Sequence, residues 1–238
     1  MNNSDTEISI GDLSNHWIKT PVTVVHCGAH LAEELEEYES VRWERIVWIE
    51  ANPNLIPPLQ KRLSGHDSST VVSATLWSKS GEALKLKVAN NSYSSSILEF
   101  GTHAKTYPDI TFESEIEVQT QSLDSILSVI GKFKGALLVL DLQGVELEAL
   151  KGAQESLSQF DFIYTEVSES NLYADQGSWK AISDFLAGYD FKLVDWQYSK
   201  DLNWGNALYV RKPKVIQSRL RRAQRKSEHK QRLKLANS

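Results

Sequence analysis

Residues 22–52 constrain this chain more than any other stretch. Val22-Thr23-Val24-Val25 is a short, β-branched run that ends in His26-Cys27-Gly28-Ala29-His30. A charged stretch of helical character follows from Leu31 to Ser40. Then comes a second apolar run, Ile46-Val47-Trp48-Ile49, closed by Glu50. Strand, tight turn, helix and strand, with an acid at the second strand's tip, make a β-α-β unit. Such a unit brings backbone N–H groups and a carboxylate to one edge of a parallel sheet. Gly28 has no Cβ, so a ligand can approach its backbone. Glu50 can accept hydrogen bonds from two ribose hydroxyls. The unit therefore points to an adenosine-containing cofactor.

Dinucleotide sites want G-x-G-x-x-G, so that a pyrophosphate can sit on the helix N-terminus. Here one glycine, Gly28, is present, and His26 stands where the first glycine of the pattern would be. Glu33, Glu34, Glu36 and Glu37 in the following stretch make a poor setting for phosphate. S-adenosyl-L-methionine, which carries no phosphate and a positively charged methionyl part, fits better than NAD. A β-α-β turn that holds no ligand is the plain alternative.

The length, 238 residues, suits one α/β domain with a sizeable core or at most two small ones. Cys27 is the one cysteine, which excludes an internal disulfide framework and cysteine-based zinc sites. The sequence shows no signal peptide and no apolar run of membrane-spanning length, so the cytoplasm is the expected compartment. The net charge of −5 hides an asymmetry. Residues 211–238 hold eleven Lys/Arg against Glu228, a charge of +10, which leaves −15 on the rest. An acidic body argues against a nucleic-acid groove, and DNA is not an expected partner. The basic tail suits contact with an anionic surface, membrane or RNA; a solvated, partly helical extension is its plain reading.

Along the chain, residues 1–20 are a polar lead-in in which Trp17 and Ile18 can pack on the domain. Asn54 to Leu63 reads as a helix and Thr70 to Leu76 as a third strand. Residues 78–120 break the pattern: Ala83 to Ala89 and Glu115 to Thr120 alternate as half-exposed antiparallel strands. Between them lie a serine-rich loop and an irregular stretch with His103, Tyr107 and Pro108. Such an insertion can cover a site. The α/β pattern then resumes with a helix from Leu123 to Val129. Ala136 to Leu140 is a continuous apolar run of the kind found in central parallel strands. It delivers Asp141-Leu142-Gln143-Gly144 to its C-terminal end. A helix from about Val145 to Leu157, a strand from Phe162 to Val167 and a helix from Trp179 to Ala187 follow. Two last strands, Lys192–Tyr198 and Ala207–Arg211, have a connection short enough for an antiparallel pair. The chain thus reads as a doubly wound α/β domain over residues 21–212 with an insertion at about 78–120 and a tail at 213–238.

These residues resemble the FkbM-type methyltransferase family, a branch of the class I S-adenosyl-L-methionine-dependent enzymes. Five stretches carry the resemblance: VVHCGAH with ELEEY, VWIEANP, SYSSSILEFGTHAKTYPDI, LLVLDLQGVELEALKGA, and IYTEVSESNLYA with the later WGNALYVR. Together they span residues 22–211, and LLVLDLQGVELEALKGA is the most specific. The resemblance implies a mostly parallel, Rossmann-like seven-stranded sheet with an inserted hairpin region and a C-terminal antiparallel pair. It also implies S-adenosyl-L-methionine as methyl donor and an oxygen acceptor, often on a sugar or a polyketide-type product. The chain departs from the family pattern at His26, where an acid is common, and at Ala32, where a second glycine is common.

Methyl transfer needs an aligned acceptor and a base for its proton. Asp141, at the end of the central strand, is the first candidate for base or cofactor contact; capping the next helix is its plain alternative. His103 is the second, since histidine titrates near neutrality; a solvated loop histidine is the alternative. The cofactor cradle is expected to comprise His26, Gly28, Ala29, His30, Glu33, Glu50, Ala51 and Asp141. Trp77 would stack on adenine, unless it merely packs in the core. The acceptor is expected to meet Ser95, Ser96, His103, Gln143 and Glu166. No metal is expected, because Asp141 and Glu166 alone offer too few ligands for a hard cation. The reaction implied is O-methylation of a sugar, a glycan or another small hydroxylated molecule. N-methylation, or a non-catalytic adaptor whose tail binds nucleic acid or membrane, are the alternatives.

Overall fold

The structure, a computed structural model, describes residues 18, 23–41, 43–133 and 135–211. Its strands are β1 (Thr23–Cys27), β2 (Arg45–Glu50), β3 (Ser69–Ser73), β4 (Thr75–Leu76), β5 (Ala83–Ala89), β6 (Phe112–Gln121), β7 (Ala136–Leu140), β8 (Phe160–Ser168), β9 (Phe191–Ser199) and β10 (Trp204–Arg211). Its α-helices are α1 (Leu35–Val41), α2 (Ile56–Arg62), α3 (His103–Thr106), α4 (Leu123–Ile130), α5 (Glu146–Lys151) and α6 (Trp179–Ala187).

Seven strands form one sheet in the order β3-β2-β1-β7-β8-β10-β9. The pairs from β3 to β8 are parallel, and β10 runs antiparallel to both β8 and β9. Continuous apolar runs form these strands because both faces are covered. Val25, Val47, Leu138 and Leu140 pack on one face against α4, α5 and α6 through Leu127, Leu150 and Leu186. Val24, Ile46, Trp48, Leu137 and Val139 pack on the other against α1 and α2 through Tyr38 and Leu59. Every residue of β7 is buried, and each of its Leu and Val side chains gains about 1.5–3 kcal/mol from leaving water. The doubly wound, mostly parallel α/β sheet expected from the sequence is thus present, with its antiparallel C-terminal pair. Strand order reverses between β1 and β7, and it is outside such a switch point that open α/β sheets bind ligands.

Local differences from the sequence reading have physical causes. The first helix starts at Leu35, not Leu31, because His30 and Ala32 take left-handed backbone conformations (φ 42° and 59°) that a right-handed helix cannot continue. Ala32 therefore holds, with a methyl group, a conformation that favours glycine. The third strand breaks at Ala74, whose N–H donates to the Glu50 carbonyl at 2.9 Å. Beyond that point β4 joins the inserted hairpin in a second, three-stranded sheet, β4-β6-β5. The helix expected to run to Leu157 ends at Lys151. Gly152 packs so closely that a Cβ there would lie 2.3 Å from the Trp77 carbonyl oxygen. Ser122 caps α4 by accepting the Ser125 N–H at 3.2 Å. Within the lead-in, Ile18 is buried in the same cluster as Val24 and Tyr38. Trp17 and the basic tail lie outside the described residues.

Candidate active site

Two adjoining cavities open at the C-terminal edge of the sheet, and both are bordered by Tyr93, Asp141 and Gln143. The first lies over the β1–β2 tips. Gly28, His30, Glu50, Ala51 and Asn52 border one side of it, and Leu55, Leu76, Leu86 and Ile97 give it an apolar wall. Glu50 ends β2 and is buried. Its Oε2 accepts the His30 N–H at 2.8 Å and its Oε1 accepts the Asn52 N–H at 2.7 Å. An ionised carboxylate offers about four lone-pair sites. One remains on each oxygen, the pattern that two vicinal hydroxyls require. Burial pushes the Glu50 carboxyl above its ordinary range, against the lowering effect of the Asn52 and His30 N–H groups.

The structure gives a further reason for glycine at position 28. Its φ is 88°, and a Cβ there would sit 1.7 Å from the Asp141 carbonyl oxygen. That neighbour is the tip of β7, and Gly28 also borders the first cavity. The Asp141 N–H donates to the Cys27 carbonyl at 3.0 Å, and this locks the two strand tips together.

Four expected cradle residues stand elsewhere. β1 runs through Cys27, so His26 is a strand residue and its ring points into the core. It stacks on Trp48, and its Nδ1 meets the Tyr38 hydroxyl at 2.8 Å. Burial lowers its pKa to about 4, so it is neutral. Ala29 is buried in that same cluster. Glu33 bonds to His30 rather than bordering the cavity. Trp77 is half-buried beyond the wall, which Thr75 and Leu76 supply instead. Replacing Tyr38 by phenylalanine is expected to leave His26 Nδ1 unpaired and to cost about 1–3 kcal/mol in denaturant titrations. Ligand affinity should not change, because His26 does not border the cavity.

The serine-rich loop folds over the first cavity. Ser96 Oγ donates to the Gln143 carbonyl at 2.7 Å and accepts the Leu98 N–H, while Ser95 Oγ accepts the Ala89 N–H. Both were expected on the acceptor. They border the first cavity instead, with hydroxyls already engaged in holding the loop. The loop is clasped from the other side by His30. Its Nε2 meets Ser92 Oγ at 2.7 Å, its Nδ1 meets Glu33 at 2.8 Å, and its ring stacks on Tyr93 at 4.2 Å.

Burial works against a charged His30, but the hydrogen bond and charge of Glu33 outweigh it and raise the pKa above 6.5. For Glu33, burial is outweighed by the bond to His30, and its pKa is lowered. The sign follows from linkage. A raised imidazole pKa stabilises the clasp fully below pH 6.5, and this is lost as pH rises through the raised value. The lowered carboxyl pKa contributes above 4.5 and is lost as pH falls through the lowered value. The melting-temperature advantage of the wild type over His30→Asn is therefore expected to be largest between these limits and to shrink towards pH 9. A pH-independent difference would show that the clasp is held without charge.

The second cavity has a volume of about 240 Å³, many times the roughly 10–15 Å³ that one water needs. Asp141, Gln143, Glu166 and Asn206 form its polar floor; Tyr107, Leu172, Tyr173 and Trp204 form its walls, and His103 also borders it. Asn206 reaches it because β10 inserts beside β8 and pairs Asn206 with Glu166. Gln143, in a left-handed conformation (φ 52°), donates through Nε2 to Asp141 at 2.5 Å and to Glu166 at 3.4 Å. Its Oε1 accepts the Tyr173 hydroxyl at 2.7 Å. Glu146 is buried below and accepts the Leu142 and Gly144 N–H groups, which shapes the loop; burial pushes its pKa up to about 7. Asp141 does not cap α5, whose N-cap is Val145.

Asp141 opens onto both cavities but is ringed by protein, and this low-dielectric setting raises its pKa, against the Gln143 hydrogen bond. Glu166 is pushed further, by burial and then by the charges of Asp141 and Glu146. Like charges this close do not both ionise. The two carboxyls hydrogen-bond to each other, a bond that lowers Asp141 and raises Glu166.

The expected acceptor residues His103, Gln143 and Glu166 thus meet around Asp141. The sequence reading missed Tyr173, Trp204 and Asn206, although all three fall in the quoted IYTEVSESNLYA and WGNALYVR stretches. Among the described residues, no group of three or more His, Cys, Asp or Glu is placed to hold a metal ion. No helix among them is long and apolar enough to cross a membrane.

Comparison with known proteins gives this geometry its context. The 2-O-methyltransferase NoeI of Sinorhizobium fredii (strain NBRC 101917 / NGR234) is 35% identical over 97 residues, which are 41% of this chain and 40% of NoeI. Among solved structures, the methyltransferase FkbM from Methylobacillus flagellatus KT is similar at 17% identity and a TM-score of 0.49, over 79% of this chain and 43% of that one. The putative methyltransferase yhhF from Escherichia coli is similar at 13% identity and a TM-score of 0.46, over 87% of this chain and 88% of that one. The chain thus spans less than half the length of NoeI and of the M. flagellatus protein. A model of the methyltransferase FkbM domain matches residues 26–193, and the chain belongs to that family.

Proposed function

We propose that this chain is an S-adenosyl-L-methionine-dependent O-methyltransferase acting on a hydroxyl of a sugar, a glycan or another hydroxylated small molecule. The observation that carries the reading is the junction of the two cavities at Asp141 and Gln143, with the Asp141 carboxyl bordering both the cavity that Glu50 lines and the one that Glu166 and Asn206 line. The family match and the 2-O-methyltransferase relative support it.

The first cavity fits S-adenosyl-L-methionine on three counts. Glu50 has a free lone pair on each oxygen for the ribose hydroxyls. The apolar wall of Leu55, Leu76 and Leu86 suits a purine. The residues that border the cavity include Glu50 and Asp141 but no Lys or Arg, which suits a cationic methionyl group and not a pyrophosphate. When bound, this cofactor supplies a methyl group on a cationic sulfur, whose bond breaks with the electron pair on sulfur as the acceptor oxygen bonds to carbon.

The protein's own part is positional and proton-accepting. Asp141, whose carboxyl is raised less than that of Glu166, takes the hydroxyl proton. Gln143 holds Asp141 on one side and Tyr173 on the other, which fixes the orientation of the base. Tyr107 and Trp204 offer flat apolar faces to a sugar ring. His103 faces the same space.

The test is incubation with methyl-labelled S-adenosyl-L-methionine and a panel of simple glycosides, oligosaccharides, nucleotide sugars and hydroxylated polyketides. Label in an O–CH3 group, identified by NMR, is the expected result. Label on nitrogen would replace the oxygen acceptor with an amine. No transfer, together with no cofactor-induced rise in melting temperature, would remove the reading altogether.

A further inference from the structure

The side chain of His103 is held in a way that decides which proton task it can perform. Its backbone is pinned to the segment after β8: Gly101, Thr102 and His103 donate N–H bonds to the carbonyls of Leu172, Asn171 and Leu172 at 2.7, 2.8 and 3.1 Å. Its ring stacks on Phe100 at 4.3 Å and 10°, with Tyr107 and Tyr173 rings at 5.0 and 5.5 Å. The residue is 5% exposed, and Nδ1 is buried with no hydrogen-bond partner. His103 borders the second cavity, and with Nδ1 buried, Nε2 is the ring nitrogen left to meet a ligand there.

A histidine that removes a proton ordinarily has an acceptor on its second nitrogen, which fixes the tautomer and stabilises the imidazolium that forms. His103 has none. To act as a base through Nε2 it would carry its resting proton on Nδ1 and end as an imidazolium whose Nδ1–H is buried without an acceptor. An unmade bond of that kind is costly, and more so for a charged ring. The other tautomer puts the single proton on Nε2, towards a cavity rich in oxygen acceptors. Burial also lowers the pKa and keeps the ring neutral.

We infer that His103 is a fixed Nε2–H donor into the acceptor cavity and not a base. It positions the acceptor by donating to an oxygen beside the reacting hydroxyl, and Asp141 alone takes the proton. The role towards the acceptor rests on the methyl-transfer reading; the tautomer does not.

Two measurements test it. The first is 15N–13C NMR of histidine-labelled full-length protein, with the His103 signals identified by their loss in His103→Gln. A neutral ring protonated on Nε2 at pH 7, with no ligand added, is expected. A ring protonated on Nδ1, or an imidazolium, overturns the inference whatever the enzyme's activity. The second is turnover of His103→Gln and His103→Phe on whichever acceptor the panel identifies. Glutamine restores a donor near Nε2 but cannot act as a base. It is expected to stay within about tenfold of wild-type kcat/KM, mostly through KM, with an unaltered pH profile. Phenylalanine, which keeps the ring stack, is expected to lose about a hundredfold. Equal losses in both variants, with a titration missing from the pH profile, would make His103 the base. A wild type that neither binds the cofactor nor turns over, with His103 protonated on Nε2, would fail the function and leave the donor assignment standing.

Discussion

Gly28→Ala is expected to unfold the site, with a loss of stability of at least about 4 kcal/mol, in the range reserved for the most disruptive single changes. Two effects act at once. The backbone at position 28 is left-handed, with φ at 88°, where an alanine is strained. The new Cβ would also fall 1.7 Å from the Asp141 carbonyl oxygen and 2.8 Å from its carbonyl carbon. Both atoms are backbone, so no side-chain rotation relieves the contact. The β1 and β7 tips would have to part, which breaks the bond from the Asp141 N–H to the Cys27 carbonyl. For a chain of this size the melting temperature should fall by roughly 10 °C, and any folded residue of protein should bind cofactor weakly. A fall of less than about 2 °C would show that the strand tips separate cheaply.

The second large effect is expected at Glu50. Glu50→Gln keeps the shape of the side chain but turns one oxygen into an NH2 group. That group faces either the His30 or the Asn52 N–H, so donor meets donor at 2.7–2.8 Å. One lone pair offered to the ribose is lost as well, with the charge behind it. Hydrogen bonds to charged groups contribute about 1.5–3 kcal/mol each. Affinity for S-adenosyl-L-methionine in calorimetry should therefore fall about a hundredfold, or roughly 2.7 kcal/mol. S-adenosylhomocysteine should suffer the same loss, because both share the ribose. An affinity within threefold of wild type would place the ribose elsewhere. A loss confined to S-adenosyl-L-methionine would mean that Glu50 reads the sulfonium charge instead.

Much of the fold is legible in the sequence. Ala136 to Leu140 announced a central strand because a strand covered on both faces has no polar position to spare. Glu50 and Asp141 stood out because an acid ending an apolar run must emerge at the sheet edge. The same two-sided burial explains the misreading of His26. When both parities of a strand are core, alternation does not reveal where the strand stops. A strand continued to Cys27 places His26 among Tyr38 and Trp48. That the hydroxyls of Ser95 and Ser96 hold the loop itself was not legible, because a polar loop's composition does not say which hydroxyls the loop uses.

Periodicity over a few neighbouring residues was enough to set most of the elements, their order and the carboxylates at their ends. Which polar groups share a cavity depends instead on long-range packing. Tyr93, His103, Asp141, Glu166, Tyr173 and Trp204 come from separate elements. They meet because β10 inserts between β8 and β9 and because the serine loop is tied down at His30 and Gln143. Contacts of such long sequence separation are fixed by how buried surfaces fit together, and no local pattern records that fit.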